Sequence, residues 1–571
     1  MRLNKIMLSA GVLATALSLG SCTGDLDLLP TDPSLSTPEK LGDNPELSLN
    51  QTMAGVYQQF VTYGANGDAS VQGFDGGMST FQRSLFILQE VPTDEASWIP
   101  NDADYGLFQY GIIPTNNTVV MGTYSRLYIN IMMCNQFIQN VQDGYYGIKT
   151  DAQQALADDY VRQCRILRAA CHYYAMDIFG NVPYADENVR AGQVAPQLST
   201  DYATGRRMLY ERITADLEDI VSWYKENDPN NKPPYGYVGL DVAESLLVKL
   251  YLNAEVYSGQ PAWDKCYQHA EAIIGRLGHG GFENSGLCNG YLQNFGANNA
   301  NYCINGNQNA VNEIIWILPQ HVPAASDNGN GVTSYANGTF MCNGWIGDAP
   351  ADATFKCAMA DYNSGNGWKC MVARREFVEK FDWDANYGQS PDVRTALWKT
   401  AKDGFNINNT SLRQSDWGNN GFLAVKYSNW AIDDNNNIDA AASPAVTDQL
   451  GVDYAMIRLA EIYLSAAEAA LNGGGDSSKA LTYVNYIRKR AGLEPYGAIN
   501  LTELQEERCR ELYTESTRRT DLIRYGKWLS GYTWSWKNNV RNGGDFNSAF
   551  SVYPIPATMA STNGYVQNPG Y

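Results

Sequence analysis

Apolar side chains recur at steps of three and four residues along two long parts of this chain, residues 123–277 and a segment that starts at Asp453. The clearest stripe comprises Leu156, Tyr160, Cys164, Leu167, Cys171, Tyr174 and Ile178. It stops at Gly180 and Pro183, two residue types that end helices. This spacing predicts amphipathic helices that bury one face.

The predicted helices come in pairs joined by short turns. Asp241 is placed to cap one helix, which ends at Gly259, and residues 263–277 supply its partner. A second pair spans residues 456–471 and 480–487, with three glycines between them. Pairs of this size are typical of tetratricopeptide units, which complete their core by stacking.

The middle of the chain has a different pattern, because clusters of Gly and Asn interrupt its short apolar runs. There we expect irregular loops with a few strands, one of them in residues 313–318. Helical patterning then returns, and Asn500 with Glu503 predicts a capping box. The predicted fold is mainly α, a tetratricopeptide-like scaffold of helical pairs with a loop-rich, partly irregular ligand-binding face.

The N-terminus has the pattern of an export signal. Arg2 and Lys5 precede an apolar stretch at residues 6–19, which is too short for a comfortable membrane span. Small residues followed by Cys22 resemble a bacterial lipobox, in which this cysteine is lipidated and becomes the first residue. Ordinary secretion with an incidental cysteine is the alternative. We expect a protein held at a membrane surface by acyl chains.

These patterns divide the chain into consecutive segments of one composite domain. They are a signal peptide (1–21), a lipidated tether (22–45), a first helical part (46–281), a loop-rich insertion (282–448) and a C-terminal helical part (449–571). Nothing after Cys22 has the pattern of a transmembrane helix.

Charge and composition narrow the choice of partner. The 571 residues carry a formal net charge of -20, which disfavours nucleic acid and anionic lipid. Only 18% of residues are charged, whereas Asn, Gly and Tyr are abundant and there are 13 Trp. Such a surface suits neutral polar ligands such as carbohydrates, although long exported proteins often have this composition without any ligand.

The motifs of common enzymes are missing from the sequence. The four histidines form no H-E-x-x-H, and there is no G-x-S-x-G elbow or phosphate-binding loop. His172 lies among apolar helical positions and is interpreted as structural. Acidic pairs are plentiful, so a two-carboxylate glycosidase stays open, but no pair is singled out. We predict a protein that is not an enzyme.

Eleven cysteines show no C-x-x-C pair and no repeated zinc spacing. Cys164 and Cys171 are predicted to be buried thiols. Five cysteines lie in the middle of the chain, where export permits disulfides, and the sequence does not assign their pairing. They are Cys288, Cys303, Cys342, Cys357 and Cys370.

One acidic segment could hold calcium. Asp433, Asn435, Asn437 and Asp439 offer side-chain oxygens at alternating positions, as calcium loops do. The segment lacks the turn glycine and the distal glutamate of an EF-hand. A solvated loop rich in Asp and Asn is the favoured interpretation, with no other cofactor expected.

Aromatic residues supply the candidate binding site. Trp98, Tyr335 and Trp368 each have Gly, Asn, Pro or Asp neighbours and stand outside the helical stripes. We therefore expect them in loops, where their rings could stack on sugar faces. Each ring taken alone is better explained by packing.

A set of motifs spread over the chain resembles the SusD-like (SusD/RagB) family of glycan-capture lipoproteins of Bacteroidetes. In chain order they read EVPTDE (90–95) with Trp98, RILRA (165–169), FGNVPY (179–184), RLAEIYL (458–464), IRKRA (487–491), ESTRRTDLIRYGKW (515–528) and YPIP (553–556). The resemblance implies a helical scaffold of tetratricopeptide-like pairs. It also implies an outer-membrane protein that faces outward, binds glycan without catalysis and passes it to a SusC-like TonB-dependent transporter.

The chain also resembles the family's starch-binding prototype, in which an aromatic arc with an Arg and an Asn follows an α-glucan. Arg83, Tyr335 and Trp368 match three positions of that site. Trp98 matches the first of two tryptophans in a prototype loop whose arc uses the second, and Pro100 stands at the second. Asn101 is near the position of the Asn, but two residues early. Starch as the ligand is therefore a hypothesis.

Two other functions stay open. The protein could be a lid that folds over the transporter with little glycan affinity of its own. It could also capture peptides, as some relatives of the family are thought to do. An exposed aromatic triad would favour glycan binding over the lid.

Overall fold

The computed structural model describes residues 38–62, 80–100, 104–190, 192–278, 282–303, 313–320, 336–347, 356, 358–408 and 418–571. Its α-helices are α1 (Pro38–Asp43), α2 (Pro45–Val61), α3 (Phe81–Gln89), α4 (Thr118–Gln142), α5 (Asp151–Phe179), α6 (Tyr202–Asn227), α7 (Leu240–Leu252), α8 (Ala254–Ser258), α9 (Trp263–Leu277), α10 (Ala336–Asn343), α11 (Arg375–Val378), α12 (Leu459–Leu471), α13 (Ser477–Arg490), α14 (Leu501–Leu512), α15 (Arg518–Arg524) and α16 (Ala557–Asn563). Its strands are β1 (Ala96–Trp98), β2 (Ile314–Leu318), β3 (Met371–Ala373), β4 (Ala431–Ile432), β5 (Ile438–Asp439) and β6 (Tyr454–Arg458).

The strands form small antiparallel pairs, β1 with β3, β2 with β6 and β4 with β5. One-turn 3-10 helices lie between them in the middle of the chain, for example at Tyr291–Asn294, Met359–Tyr362 and Ala401–Asp403. The mainly α fold and the irregular, loop-rich middle are thus confirmed. The strand predicted in residues 313–318 is β2.

The helical scaffold is continuous across the insertion. Helix α4 packs on α5, α5 on α6, α6 on α7 and α7 on α9. Helix α9 then contacts α12, which packs on α13 and α14. The helices before and after the loop-rich middle therefore form one stack, as the pairing pattern predicted.

Local signals place several helix ends correctly. Gly180, with φ 72°, follows α5, and a Cβ there would lie 2.7 Å from the Tyr202 ring, so only glycine fits. Asn500 and Glu503 form the predicted capping box of α14. Cys164 and Cys171 are buried free thiols, also as predicted.

Two predicted helix starts are wrong. Asp241 lies in the first turn of α7, after Gly239 at the cap, and its carboxylate accepts from Arg276 at 2.7 and 2.9 Å. Met456 belongs to β6 rather than to the following helix, because residues 454–458 pair with β2. In both cases a partner distant in sequence determines the local structure.

Buried charges link the loop-rich middle to the C-terminal helices. Arg458, at the end of β6, lies 2.7 Å from Glu313 and 3.0 Å from Glu511. It also contacts Glu515, at 2.5 Å. Arg490 contacts both Glu313 and Glu511. Their side chains are between 0 and 4% exposed, so each charge depends on its partners for solvation. We use the name buried charge network for Arg458, Arg490, Arg394, Lys426 and the glutamates that they contact, which are Glu313, Glu507, Glu511 and Glu515.

Residues of the insertion enter the same network. Arg394 contacts Glu507 at 2.8 Å and Glu511 at 3.4 Å, and Lys426 contacts Glu515 at 2.6 Å. Burial alone would raise the pKa of the Glu507 carboxyl, but Arg394 and a second arginine lower it to about 2. The carboxylates are therefore ionised and paired, and the insertion is held to the scaffold by charge as well as by packing.

His172 has the structural role that the sequence predicted. Its Nε2 accepts from the backbone N–H of Ala185 at 3.1 Å, so Nδ1 carries the proton and donates to the Arg168 carbonyl, also at 3.1 Å. Burial, followed by the charge of Arg168, lowers its pKa to about 3. The ring is neutral and fixes the segment that follows α5.

The pKa of His269 is shifted in the opposite direction from that of His172. Its Nδ1 lies 3.0 Å from Glu244 and its Nε2 3.2 Å from Glu218. Burial alone would lower its pKa, but hydrogen bonds to Glu218 and Glu244 raise the pKa above its ordinary value of 6.5. Glu244 also pairs with Lys225 and Arg276, so the imidazolium joins a mixed cluster between α6, α7 and α9.

The buried charge network yields a first prediction. Arg458→Met leaves three buried carboxylates without their shared cation and is expected to lower the free energy of unfolding by about 3–5 kcal/mol. Lys489→Met is the control, because the pair of Lys489 with Glu283 is exposed and should contribute less than about 1 kcal/mol. Urea unfolding followed by circular dichroism measures both. Equal, small losses would contradict the structural role of the network.

His269 yields a second prediction. Because its folded-state pKa is raised, its contribution to stability is fully present below about pH 6.5 and is lost as the pH rises through the folded-state pKa. The difference in melting temperature between the wild type and His269→Gln should therefore be larger at pH 6 than at pH 9. A difference that is constant over this range would show that the imidazolium contributes nothing.

Candidate functional site

The segment around Trp368 connects the elements that carry the predicted site residues. The backbone N–H of Trp368 donates to Asn343 at the end of α10, at 2.7 Å. Three residues further on, Met371 is paired with Trp98 in the β1–β3 ladder. Helix α10 begins at Ala336. Parts of the chain that are far apart in sequence therefore meet at this segment.

Two of the predicted site residues, Arg83 and Trp368, lie close together. Thr80 caps α3 by accepting from the Arg83 backbone N–H at 3.2 Å, which sets the first turn of that helix. The guanidinium carbon of Arg83 lies 4.3 Å from the centre of the Phe340 ring and 6.0 Å from that of Trp368. This is cation–π geometry, and it links α3, α10 and the Trp368 segment. Trp368 itself is half-buried.

The expected loop position of Trp98 is wrong. The residue ends β1, its backbone is paired with β3, and its side chain is 2% exposed. Gln109 hydrogen-bonds both its N–H and its carbonyl, at 3.3 and 3.2 Å. The ring packs 5.3 Å from that of Tyr105. Trp98 is thus a packed side chain in this structure, and its ring is buried in protein.

Two of the predicted glycan contacts have no described position in the structure. Tyr335 and Asn101 lie outside the described residues, and so does Cys22. Of the five candidate glycan contacts, the described ones are Arg83, Trp98 and Trp368. Of these, Arg83 and Trp368 are in mutual contact.

Lys369 and Phe340 are neighbours of the site that the sequence reasoning missed. Lys369 has φ 42°, and its N–H donates to Ile346 at 2.7 Å, so the chain turns sharply after Trp368. Its ammonium donates to the Gly418 carbonyl at 2.7 Å. The sequence gives no sign of these two positions, because Lys369 and Phe340 contact segments that are distant from them along the chain.

The proposed calcium segment forms a tight hairpin between β4 and β5. The Asp433 carboxylate accepts from the backbone N–H of Asn435 at 2.9 Å and of Asn437 at 2.8 Å. Asp439 likewise accepts from two N–H groups of the residues that follow it. These bonds are those of a turn rich in Asp and Asn. In the described part of the chain, no group of three His, Cys, Asp or Glu is placed to hold a metal ion.

The helices also bear on whether the chain could cross a membrane. None of those in the described ranges combines the length and the apolar character that a bilayer span requires.

The chain combines a stack of packed helices with a segment at which Arg83 and Trp368 lie close together. Residues 373–571 match the profile of the SusD family. The starch-binding protein SusD of Bacteroides thetaiotaomicron is 28% identical over 99% of both chains. SusD-like protein P2 of Formosa agariphila is 24% identical over 80% of this chain and 81% of its own. The family profile thus matches the C-terminal third of the chain, and the similarity to individual SusD-like proteins extends over most of its length.

Solved structures support the same fold. Surface glycan-binding protein A from Bacteroides thetaiotaomicron, in complex with laminarihexaose, superposes with a TM-score of 0.62 at 19% identity, over 92% of this chain and 99% of that one. Surface glycan-binding protein A from Bacteroides fluxus gives 0.63 at 17% identity, over the same shares. At such identities the likeness concerns the fold.

The burial of Trp98 yields a third prediction. Trp98→Ala is expected to lower the free energy of unfolding by about 3–5 kcal/mol, because it empties a packed position. Trp368→Ala, which removes a half-buried ring, should lower it markedly less. Urea unfolding of the two variants measures the difference. A Trp98→Ala variant as stable as the wild type would contradict the buried, packed position of this side chain.

Proposed function

We propose that this protein is a cell-surface glycan-binding lipoprotein that captures oligosaccharide or polysaccharide and delivers it to a SusC-like TonB-dependent transporter. The observation that carries the proposal is the contact between Arg83 and Trp368 on the loop-rich side of a SusD-family scaffold. Similarity to the starch-binding protein SusD supports an α-glucan as the first ligand to test. The protein binds its ligand and releases it unchanged.

The chemistry of the site suits a neutral saccharide. The Trp368 ring offers an apolar face to sugar C–H groups, and the nearby guanidinium can donate to hydroxyls. A few aromatic contacts of about 1.5 kcal/mol each give millimolar to tens of micromolar dissociation constants. Such affinities allow the ligand to be released to a transporter. Tyr335 and Asn101 are the proposed further contacts.

The N-terminal segment supports a proposal for the cellular location of the protein. We propose that Cys22 carries the lipid and that the tether of residues 22–45 holds the binding face outside the outer membrane. The acidic net charge of -20 keeps the protein from anionic lipid surfaces and leaves the anchor as the attachment.

Burial of Trp98 favours one competing function. Because the Trp98 ring is buried, fewer aromatic side chains are available to stack on a sugar. This is expected for a lid over the transporter that binds glycan weakly. Direct binding measurements separate the two functions, because a lid would show no saturable glycan binding.

The test is calorimetric titration of the chain lacking residues 1–22 with maltoheptaose, laminarihexaose and a panel of differently linked oligosaccharides. Trp368→Ala is expected to weaken binding about tenfold, which corresponds to about 1.4 kcal/mol. Trp223→Ala is the matched control. Trp223 is also exposed and stacked by an arginine, with Arg162 at 3.5 Å, but it lies on α6. The control should bind as the wild type does.

Two outcomes would contradict the proposal. Absence of binding to every oligosaccharide would favour the lid or a peptide ligand. Binding that is equal in the wild type and Trp368→Ala would place the glycan elsewhere on the protein. Binding to another glycan but not to maltoheptaose would keep the function and change the ligand.

A further inference from the structure

A second pocket lies in the loop-rich middle, formed by the start of α11, the loop 384–389 and the segment 401–408. Its volume is about 330 Å³. This is at the small end of the range of about 300–1,000 Å³ for ligand pockets in proteins. Phe405, Ile407 and Phe422 are buried among its lining residues and give it an apolar floor. No part of the proposed function uses this pocket.

One wall is a loop that the Asp384 carboxylate organises. Its oxygens accept from the backbone N–H groups of Asn386 and Gly388 at 2.9 Å and of Gln389 at 3.0 Å. Tyr387, between them, has φ 56°, an unfavourable conformation for a residue with a side chain. Its carbonyl accepts from Ala401 at 3.2 Å, which ties the loop to the opposite wall. The backbone on both sides of Tyr387 is thus fixed at the pocket by several hydrogen bonds.

The opposite wall is also a hydrogen-bonded structure. The Asn406 backbone exchanges hydrogen bonds with residues 419 and 421, at 2.8 and 2.7 Å. Its side-chain amide donates to Asn419 at 3.1 Å and accepts from the Asn408 backbone at 2.9 Å. The pocket is therefore preformed, and a ligand would bind without first ordering this wall.

The rim carries polar groups that match sugar hydroxyls. The side chains of Asn386 and Asn408 are exposed at the rim, and each amide offers donors and an acceptor. Arg375 binds Glu379 through Nε at 2.7 Å, which leaves its terminal amino groups to donate to a ligand. None of the described residues that line the pocket carries a carboxylate, and the chain as a whole is strongly acidic, which disfavours anionic saccharides.

We propose that this pocket is a second carbohydrate-binding site, in which a neutral saccharide stacks on Tyr387 and is held at its edge by Asn386 and Arg375. The choice of a neutral saccharide as the ligand of this pocket rests on the proposed function. The pocket also adjoins the first site. Lys369, next to Trp368, extends its ammonium to 5.3 Å from the Phe405 ring. Two weak sites on one face would together hold a polysaccharide more tightly than either alone.

The experiment compares four variants of the chain lacking residues 1–22 by calorimetry with maltoheptaose and laminarihexaose. They are Trp368→Ala, Tyr387→Ala, the combination of the two, and Trp368→Ala with Tyr145→Ala as the control. Tyr145 is an exposed tyrosine outside both sites. A further variant combines Trp368→Ala with Asn386→Ala and Arg375→Ala. Within the pocket it removes only exposed side chains, so it guards against a folding defect of Tyr387→Ala.

The Trp368→Ala variant should still bind saccharide, but more weakly than the wild type. Adding Tyr387→Ala to it should reduce this residual affinity about tenfold or more. The exposed-residue variant should reduce it likewise, while the Tyr145→Ala control should not. Residual binding that survives both pocket variants overturns the second site, as does complete loss of binding in Trp368→Ala alone. Absence of binding in the wild type refutes the proposed function itself and, with it, the ligand class of this pocket.

Discussion

Buried pairing of opposite charges around Glu511 and Arg458 is the constraint on which the rest of this structure depends. Removing such charges from water costs several kcal/mol for each ion, and the cost is offset only when every partner is in place. The partners come from the insertion and from three C-terminal elements. The loop-rich middle therefore cannot detach from the helices without leaving charges unpaired. Loops that would otherwise have little packing of their own gain a fixed position, and a preformed binding face follows from it.

The same constraint explains why the sequence shows a resemblance to a family more readily than it shows the ligand. The charged residues in the quoted motifs lie largely in buried pairs. Arg458, Arg490 and Glu515 belong to the network, and Arg518 binds Asp94 of the EVPTDE motif at 2.7 and 2.8 Å. These residues are required by the scaffold whatever the protein binds. Residues that contact a ligand need only suit that ligand, and the spacing of motifs carries little information about them.

Local pattern predicted most of the scaffold and only part of the site. Helix periodicity and the capping box at Asn500 depend on neighbours in sequence, and both were confirmed. Asp241, Met456 and Trp98 were misplaced because a salt bridge or a strand pairing with a distant segment determines their structure. The contact of Arg83 with Trp368 was found only through resemblance. Phe340 and the pocket at Tyr387 gave no signal, since they arise where separate loops meet.

The pairing of β2 with β6 has a consequence for how such a protein can change. Leu318 lies opposite Tyr454 in the ladder, so the intervening chain leaves and re-enters the scaffold at one point. Its length and sequence can vary outside the contacts that hold it, among them the pairing of β3 with β1 and the packing of α10 on α3. A replacement must retain those contacts and the anchoring cations, Arg394 and Lys426. New specificities can thus evolve by exchange of one segment, while the surface offered to other proteins by the helices stays the same.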